Sequence, residues 1–300
     1  MAVYYFNYQS PGAPSLTNAA GTLISVLDYC LVSGMGWTKV FSGTNTATYR
    51  APTGNRFYLG VDDTAGQSAK FRAYEVATQA GINDTNAQGQ FPTIAQRTNG
   101  YYFWKNVGTT PGDWAFFSDG IMFYLSAYIS TYDRGALFAF GDVISYSQND
   151  FYNTIISGEI GADATQFCAQ AVIYGSSASS FTNCRSIARP FTQLGAATYV
   201  EYMADASRSN TTALGYGGFP YPDPIRNTVN IGIIELMEQG KYFRGRMPGL
   251  YYPKHTSPFP SGTRLSGSGN LAGKQFVVRQ VNTAASNGQM LFEISDTWRN

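Results

Sequence analysis

Charge is scarce in this sequence. Charged residues are 13% of its 300 residues, against about a quarter in an ordinary soluble domain. The net charge is +1. A chain that wraps nucleic acid needs a basic face, so the balance argues against a nucleic-acid partner. It also removes the self-repulsion that keeps proteins dispersed. Lys and Glu, the common fillers of helix surfaces, number only six each, which argues against a helical protein. Histidine occurs once, as His255 between Pro253 and Pro258. A Ser/His/Asp or Cys/His system would have to use that one residue, and no Gly-x-Ser-x-Gly elbow accompanies it. Cysteine is sparse and odd in number: Cys30, Cys168 and Cys184. That is no secreted disulfide framework. Cys168 and Cys184 are able to pair, but buried free thiols in a reducing cytoplasm are the simpler reading. The start, MAVYYFNYQS, lacks a basic and then apolar leader. The longest membrane-like stretch, Ile121 to Ile129, is far short of a span. The expectation is a soluble protein made in a cytoplasm, with no membrane partner.

Aromatics and glycine are abundant instead, with 22 Tyr, 20 Phe and 32 Gly. Tyr suits a pleated, half-buried surface, and Gly suits turns and bulges. The N-terminal residues Tyr4, Tyr5, Phe6 and Tyr8 form an aromatic arm, and Pro11 and Pro14 forbid a helix there. The arm reads as an edge strand or as a reach toward a neighbouring subunit. One helix follows: Leu23, Ile24, Leu27, Cys30 and Leu31 make an apolar face, with Thr17 or Asn18 as cap and Gly34 as a left-handed end. From Trp37 the period becomes two. Ile121, Phe123, Leu125, Ala127 and Ile129 share one strand face, opposite Ser126 and Ser130. Val277, Arg279 and Val281 form another such face, as do Met290, Phe292 and Ile294 opposite Gln289 and Glu293. Each alternation predicts a half-buried strand of an antiparallel sheet. Ile231 to Glu238 fits both periods, and residues 255 to 274 read as a long loop.

The expected fold is therefore mainly β: antiparallel β-sandwich or barrel modules with one N-terminal α-helix at about residues 18–33. An arm and helix (1–35), a β-sandwich domain (36–190) and a second β-rich module (191–300) are expected, or one domain containing all three.

The search for chemistry yields little. Zinc needs clustered Cys and His, which the sequence lacks. Asp84, Asn86, Gln88 and Gly89 match the start of a calcium loop, but its twelfth position is Ala95, and a polar turn is the better reading. Asp62-Asp63 after a strand suits an oxygen-loving cation or, more simply, a turn start. Asp113, Asp119, Asp133 and Asp142 lie among Trp104, Trp114, Phe116, Tyr124 and Tyr132, a grouping that suits a sugar platform. Most of the acids, however, sit at strand ends beside turn-forming residues. The expectation is a non-enzyme without metal or cofactor. Candidate partner or glycan contacts are Tyr4, Tyr5, Phe6, Trp104 and Trp114.

Several residue blocks carry a resemblance. They begin with Gly12-Ala13-Pro14, Leu16-Thr17, Gly21, Leu27-Asp28, Leu31-Val32 and Gly34, then Gly36-Trp37-Thr38-Lys39, Phe41 to Asn45 and Tyr49-Arg50. Phe57-Tyr58-Leu59, Val61-Asp62-Asp63 and Phe140-Gly141-Asp142 follow. Arg244 to Leu250 (RGRMPGL) and Phe292-Glu293-Ile294-Ser295 with Trp298 close the series. Together they resemble a family of tailed-bacteriophage virion structural proteins from the tail or baseplate region. The resemblance implies a virion component that is assembled in the host cytoplasm and carries no catalytic residues. Such a component contacts copies of itself and other virion proteins, and the 14 Arg and 22 Tyr suit those contacts. A receptor- or glycan-binding adhesin module and a capsid decoration protein are the alternative readings.

Overall fold

The computed structural model describes residues 2–76, 88–106, 108–129, 134–159, 186–192, 198–204, 222–223, 225, 227–238, 242–253, 259–281, 289–295 and 297–299. Among the described residues the fold is mainly antiparallel β with one short α-helix, as expected.

The N-terminal arm forms strand β1 (Tyr4–Asn7), and α1 (Thr22–Leu27) runs on into a π-helical segment, Asp28–Ser33. Five strands then pair in chain order: β2 (Thr38–Gly43), β3 (Thr46–Arg50), β4 (Tyr58–Asp62), β5 (Ser68–Tyr74) and β6 (Tyr101–Trp104). The remaining strands belong to a larger sheet. They are β7 (Asp113–Ser118), β8 (Phe123–Ile129), β9 (Arg134–Asp142), β10 (Ile144–Ser145), β11 (Thr154–Ser157) and β12 (Ser186–Ala188). After them come β13 (Thr198–Ala204), β14 (Ile231–Glu238), β15 (Tyr242–Pro253), β16 (Arg264–Ser266), β17 (Gln275–Gln280) and β18 (Gln289–Glu293).

The large sheet has the order β1-β7-β8-β9-β11-β12-β13-β14-β15-β18-β17-β16, and β10 pairs with β15. It draws strands from all three expected segments. Because β10 follows β9, its pairing with β15 brings the path from β9 through β15 back on itself in a barrel-like closure. The two ends of the sheet also meet: the Arg264 guanidinium of β16 lies 5.8 Å from the Tyr5 ring centroid of β1. Strands β7, β8 and β9 thus become a middle layer, with the five-stranded sheet on one side and the C-terminal strands of their own sheet on the other.

Period two decides which side chain meets which layer. The rows Trp114–Ala127–Ala136 and Phe116–Leu125–Phe138 face the five-stranded sheet and α1. There the Phe71 and Phe138 rings stack at 4.0 Å. The rows Ala115–Ser126–Leu137 and Phe117–Tyr124–Ala139 face β15, β17 and β18, where Phe117 stacks on Phe292 at 4.3 Å. The expectation of half-buried strands is corrected here, because β7 and β8 are buried on both faces and Ser126 lies in the core rather than in solvent. In β18, Glu293 is likewise buried; it accepts hydrogen bonds from Lys274 (2.7 Å), Ser295 (2.9 Å) and Tyr251 (3.2 Å).

The helix also differs from its expected form. It begins at Thr22, after Gly21 in the left-handed region (φ 81°), and neither Thr17 nor Asn18 caps it. Its free amides at Leu23 and Ile24 instead donate to the Asp63 carboxylate, at 2.8 and 3.4 Å, across about 40 residues of chain. Gly34 has ordinary helical backbone, and the left-handed residue is Gly36 (φ 71°). Gly34 lacks a side chain for a different reason: a Cβ there would strike the Phe6 ring. Ile231 to Glu238, which fits two periods, is strand β14, paired on both sides. The described part of the expected loop at 255–274 contains β16 and a 3-10 turn at Gly269–Leu271.

Candidate functional site

The five aromatic contact candidates separate into two groups. Trp104 is 3% exposed and Trp114 is fully buried. Their indole N–H groups donate to the carbonyls of Asn106 (3.3 Å) and Pro14 (3.0 Å). Both are core residues, so the expectation of a sugar or partner platform at Trp104 and Trp114 is corrected. Tyr4, Tyr5 and Phe6 are half-buried in β1, paired to β7 at the edge of the large sheet. Tyr5 stacks on Phe117 at 5.1 Å, and Phe6 meets the Tyr29 ring edge-on at 5.6 Å. The arm therefore packs on its own chain as an edge strand.

The acids grouped with those tryptophans are held one by one. Asp113 takes two bonds from Arg279, at 3.0 and 3.1 Å. Asp119 accepts the amides of Ile121 and Met122 through Oδ1 and the Arg299 guanidinium through Oδ2. Asp142 accepts the Thr154 hydroxyl and, at 2.7 Å, the Asn55 amide. Burial pushes the Asp142 carboxyl above the usual carboxylate range, and its hydrogen bonds and Arg299 pull the other way. Asp133 and Tyr132 lie outside the described residues.

The metal candidates fare similarly. Asp62 closes a turn on Thr64. Asp63 is buried against the equally buried ammonium of Lys105. Lys105 also donates to the Ala19 (2.8 Å) and Ala65 (3.3 Å) carbonyls. The cation beside Asp63 is thus a lysine, and the pair ties the start of α1 to the ends of β4 and β6. Burial raises the Asp63 pKa, opposed by Lys105 and the two helix amides. Of the calcium-loop candidate, Asp84 and Asn86 lie outside the described residues, while Gln88 pairs its backbone with Val76. No group of three or more His, Cys, Asp or Glu able to hold a metal occurs among the described residues. Cys30 is a buried free thiol whose pKa burial raises; Cys168, Cys184 and His255 lie outside the described residues.

The most elaborate polar constellation was not singled out as a site in the sequence. Arg244, at the head of the RGRMPGL block, is buried in β15. Its Nε and Nη2 grip Asp150 at 2.9 Å each, and its Nη1 lies 3.4 Å from Glu238. It also donates to the carbonyls of Arg189 and Tyr152. Asp150 accepts the Ser145 hydroxyl, and Glu238 accepts the Phe191 amide and the Tyr242 hydroxyl. One guanidinium thereby joins β14, β15, the segment after β10 and the segment after β12. A bidentate, fully hydrogen-bonded pair of this kind fixes geometry as well as charge. The available signal was an Arg inside a block of apolar and Gly residues, where a buried charge demands partners.

The other blocks end in comparable places. Gly249 is left-handed (φ 67°) and sits on the Trp298 indole, where a Cβ would collide. Trp298 donates to the Glu293 carbonyl at 3.0 Å, and Trp37 donates to the Gly120 carbonyl at 3.0 Å. No family model matches the chain, and no curated protein matches it. Among the described residues, no helix is long and apolar enough to cross a membrane.

Proposed function

We propose that the chain is a non-enzymatic structural component of a tailed-phage virion, in the tail or baseplate region. It acts through contacts with copies of itself and with neighbouring virion proteins. The observation that carries this reading is where the resembling blocks fall. Val61-Asp62-Asp63, Phe140-Gly141-Asp142 and the RGRMPGL run carry buried charges that tie distant segments together, and Trp298 closes the last block on the Glu293 carbonyl. Asp63, Asp142, Arg244 and Glu293 are all engaged by partners inside the fold, as suits a scaffold. The low charge and the aromatic excess support the same reading.

The test is mass spectrometry of gradient-purified particles, followed by antibody labelling imaged by electron microscopy. The expected result is the chain in particles at a fixed copy number, with label on the tail or baseplate. A chain abundant in the lysate but absent from particles overturns the reading. Label on the capsid surface moves it to a decoration protein.

A further inference from the structure

We infer that the outer surface around the Arg244 hub is a subunit interface that receives a second copy of this chain. Large apolar side chains radiate from the residues that the hub holds. Phe151 follows Asp150 and is 66% exposed, and Phe243 precedes Arg244 and is 51% exposed. Tyr146, whose amide donates to the Arg244 carbonyl, is 51% exposed. Tyr242 is 37% exposed and meets the Phe191 ring edge-on at 6.2 Å. Ile233, also in β14 and two residues before the Glu235 that Tyr146 bonds, is 36% exposed.

Tyr242 bonds Glu238 on the Arg244 side of β15 and only borders this surface. At about 200 Å² for a large side chain, the other four leave on the order of 400 Å² open, the size of a patch that is often functional. That is about half of the about 800 Å² that each partner contributes to a stable interface. Arg244 holds the supporting backbone, so little order is lost when the patch is covered. The carboxylates beside it, Asp150, Glu235 and Glu238, already accept hydrogen bonds within the chain, which disfavours a sugar ligand that would need them. Glu235 lies opposite Arg246 across the strands, and the whole chain carries +1, so two copies meet without charge repulsion. The inference rests on the virion reading only in taking a copy of the chain as the occupant.

The experiment is sedimentation velocity on the purified full-length chain over a wide concentration range. The wild type is compared with Phe151→Ser/Phe243→Ser and with Tyr8→Ser, a control at an exposed tyrosine just after β1, which pairs with β7. Thermal melts establish that each variant folds. The expected result is an associating wild type and control, and a double variant at least 100-fold weaker. Equal association by the double variant overturns the inference and leaves the virion reading standing. So does an equal loss in Tyr8→Ser, which makes the effect non-specific. A wild type that stays monomeric overturns it too, even if it binds host polysaccharide through the same two phenylalanines; incorporation into particles then judges the virion reading separately.

Discussion

The two faces of the middle layer are built from the same three strands and held in different ways. Toward the five-stranded sheet, Trp114, Phe116, Phe123, Leu125, Ile129, Phe138 and Phe140 meet other apolar side chains. Toward the C-terminal strands, the apolar cluster is interrupted by directional contacts. Arg279 reaches Asp113 and Ser126, and the Tyr124 hydroxyl donates to the Pro248 carbonyl at 2.8 Å. Apolar burial is strong and non-directional, so it holds two layers without choosing their alignment. Ion pairs and buried hydrogen bonds contribute less net free energy but accept only one geometry. The first face supplies cohesion, and the second fixes how the C-terminal strands lie.

That contrast is breakable. Phe138→Ala on the apolar face is expected to cost about 3–5 kcal/mol in urea denaturation, through lost transfer energy and a cavity beside Phe71. A cost below about 1 kcal/mol would show the face to be loosely packed. Gly249→Ala is expected to cost about 2–4 kcal/mol, since it combines left-handed backbone with a clash on Trp298. Loss of the near-ultraviolet circular dichroism of that indole should accompany it.

Arg279→Leu on the second face is expected to cost about 2 kcal/mol, less than a fully buried pair because Asp113 is partly open to water. Adding Asp113→Leu should recover most of that loss, because no unpaired charge remains. If the double variant is as unstable as the single, the pair contributes free energy and not only geometry. The smallest effect is a slope. Burial raises the folded pKa of Asp142, so the folded state holds its proton more tightly than the unfolded chain. This contribution is complete below the ordinary carboxylate pKa of about 4 and is lost as pH rises through the raised value. Asp142→Asn should flatten that decline, as measured by urea midpoints over about pH 4 to 7.

Strand existence was legible because alternation is a local pattern. Burial of the second face was not, since Ser126 and Glu293 look solvated until another layer is laid over them. Trp114 was misread although a signal was present: it shares a strand face with Phe116, and period two assigns both to one core. Its acid neighbour Asp113 points to the opposite face. The helix start was misplaced because its cap, Asp63, is distant in sequence, so no reading of Thr17 or Asn18 finds it.

By itself, the sequence determined the β-rich class, the strands whose alternation is clearest, such as Phe123–Ile129 and Gln289–Glu293, and the low charge and aromatic excess of the chain. These follow from side-chain period and composition, which need no neighbour to act. Only the tertiary structure decided the partner of every buried charge, the cap of the helix, the sheet that covers each face and the aromatics left exposed around Arg244. Those depend on which distant segments meet, and a buried ion or an uncovered ring is defined by what is, or is not, packed against it.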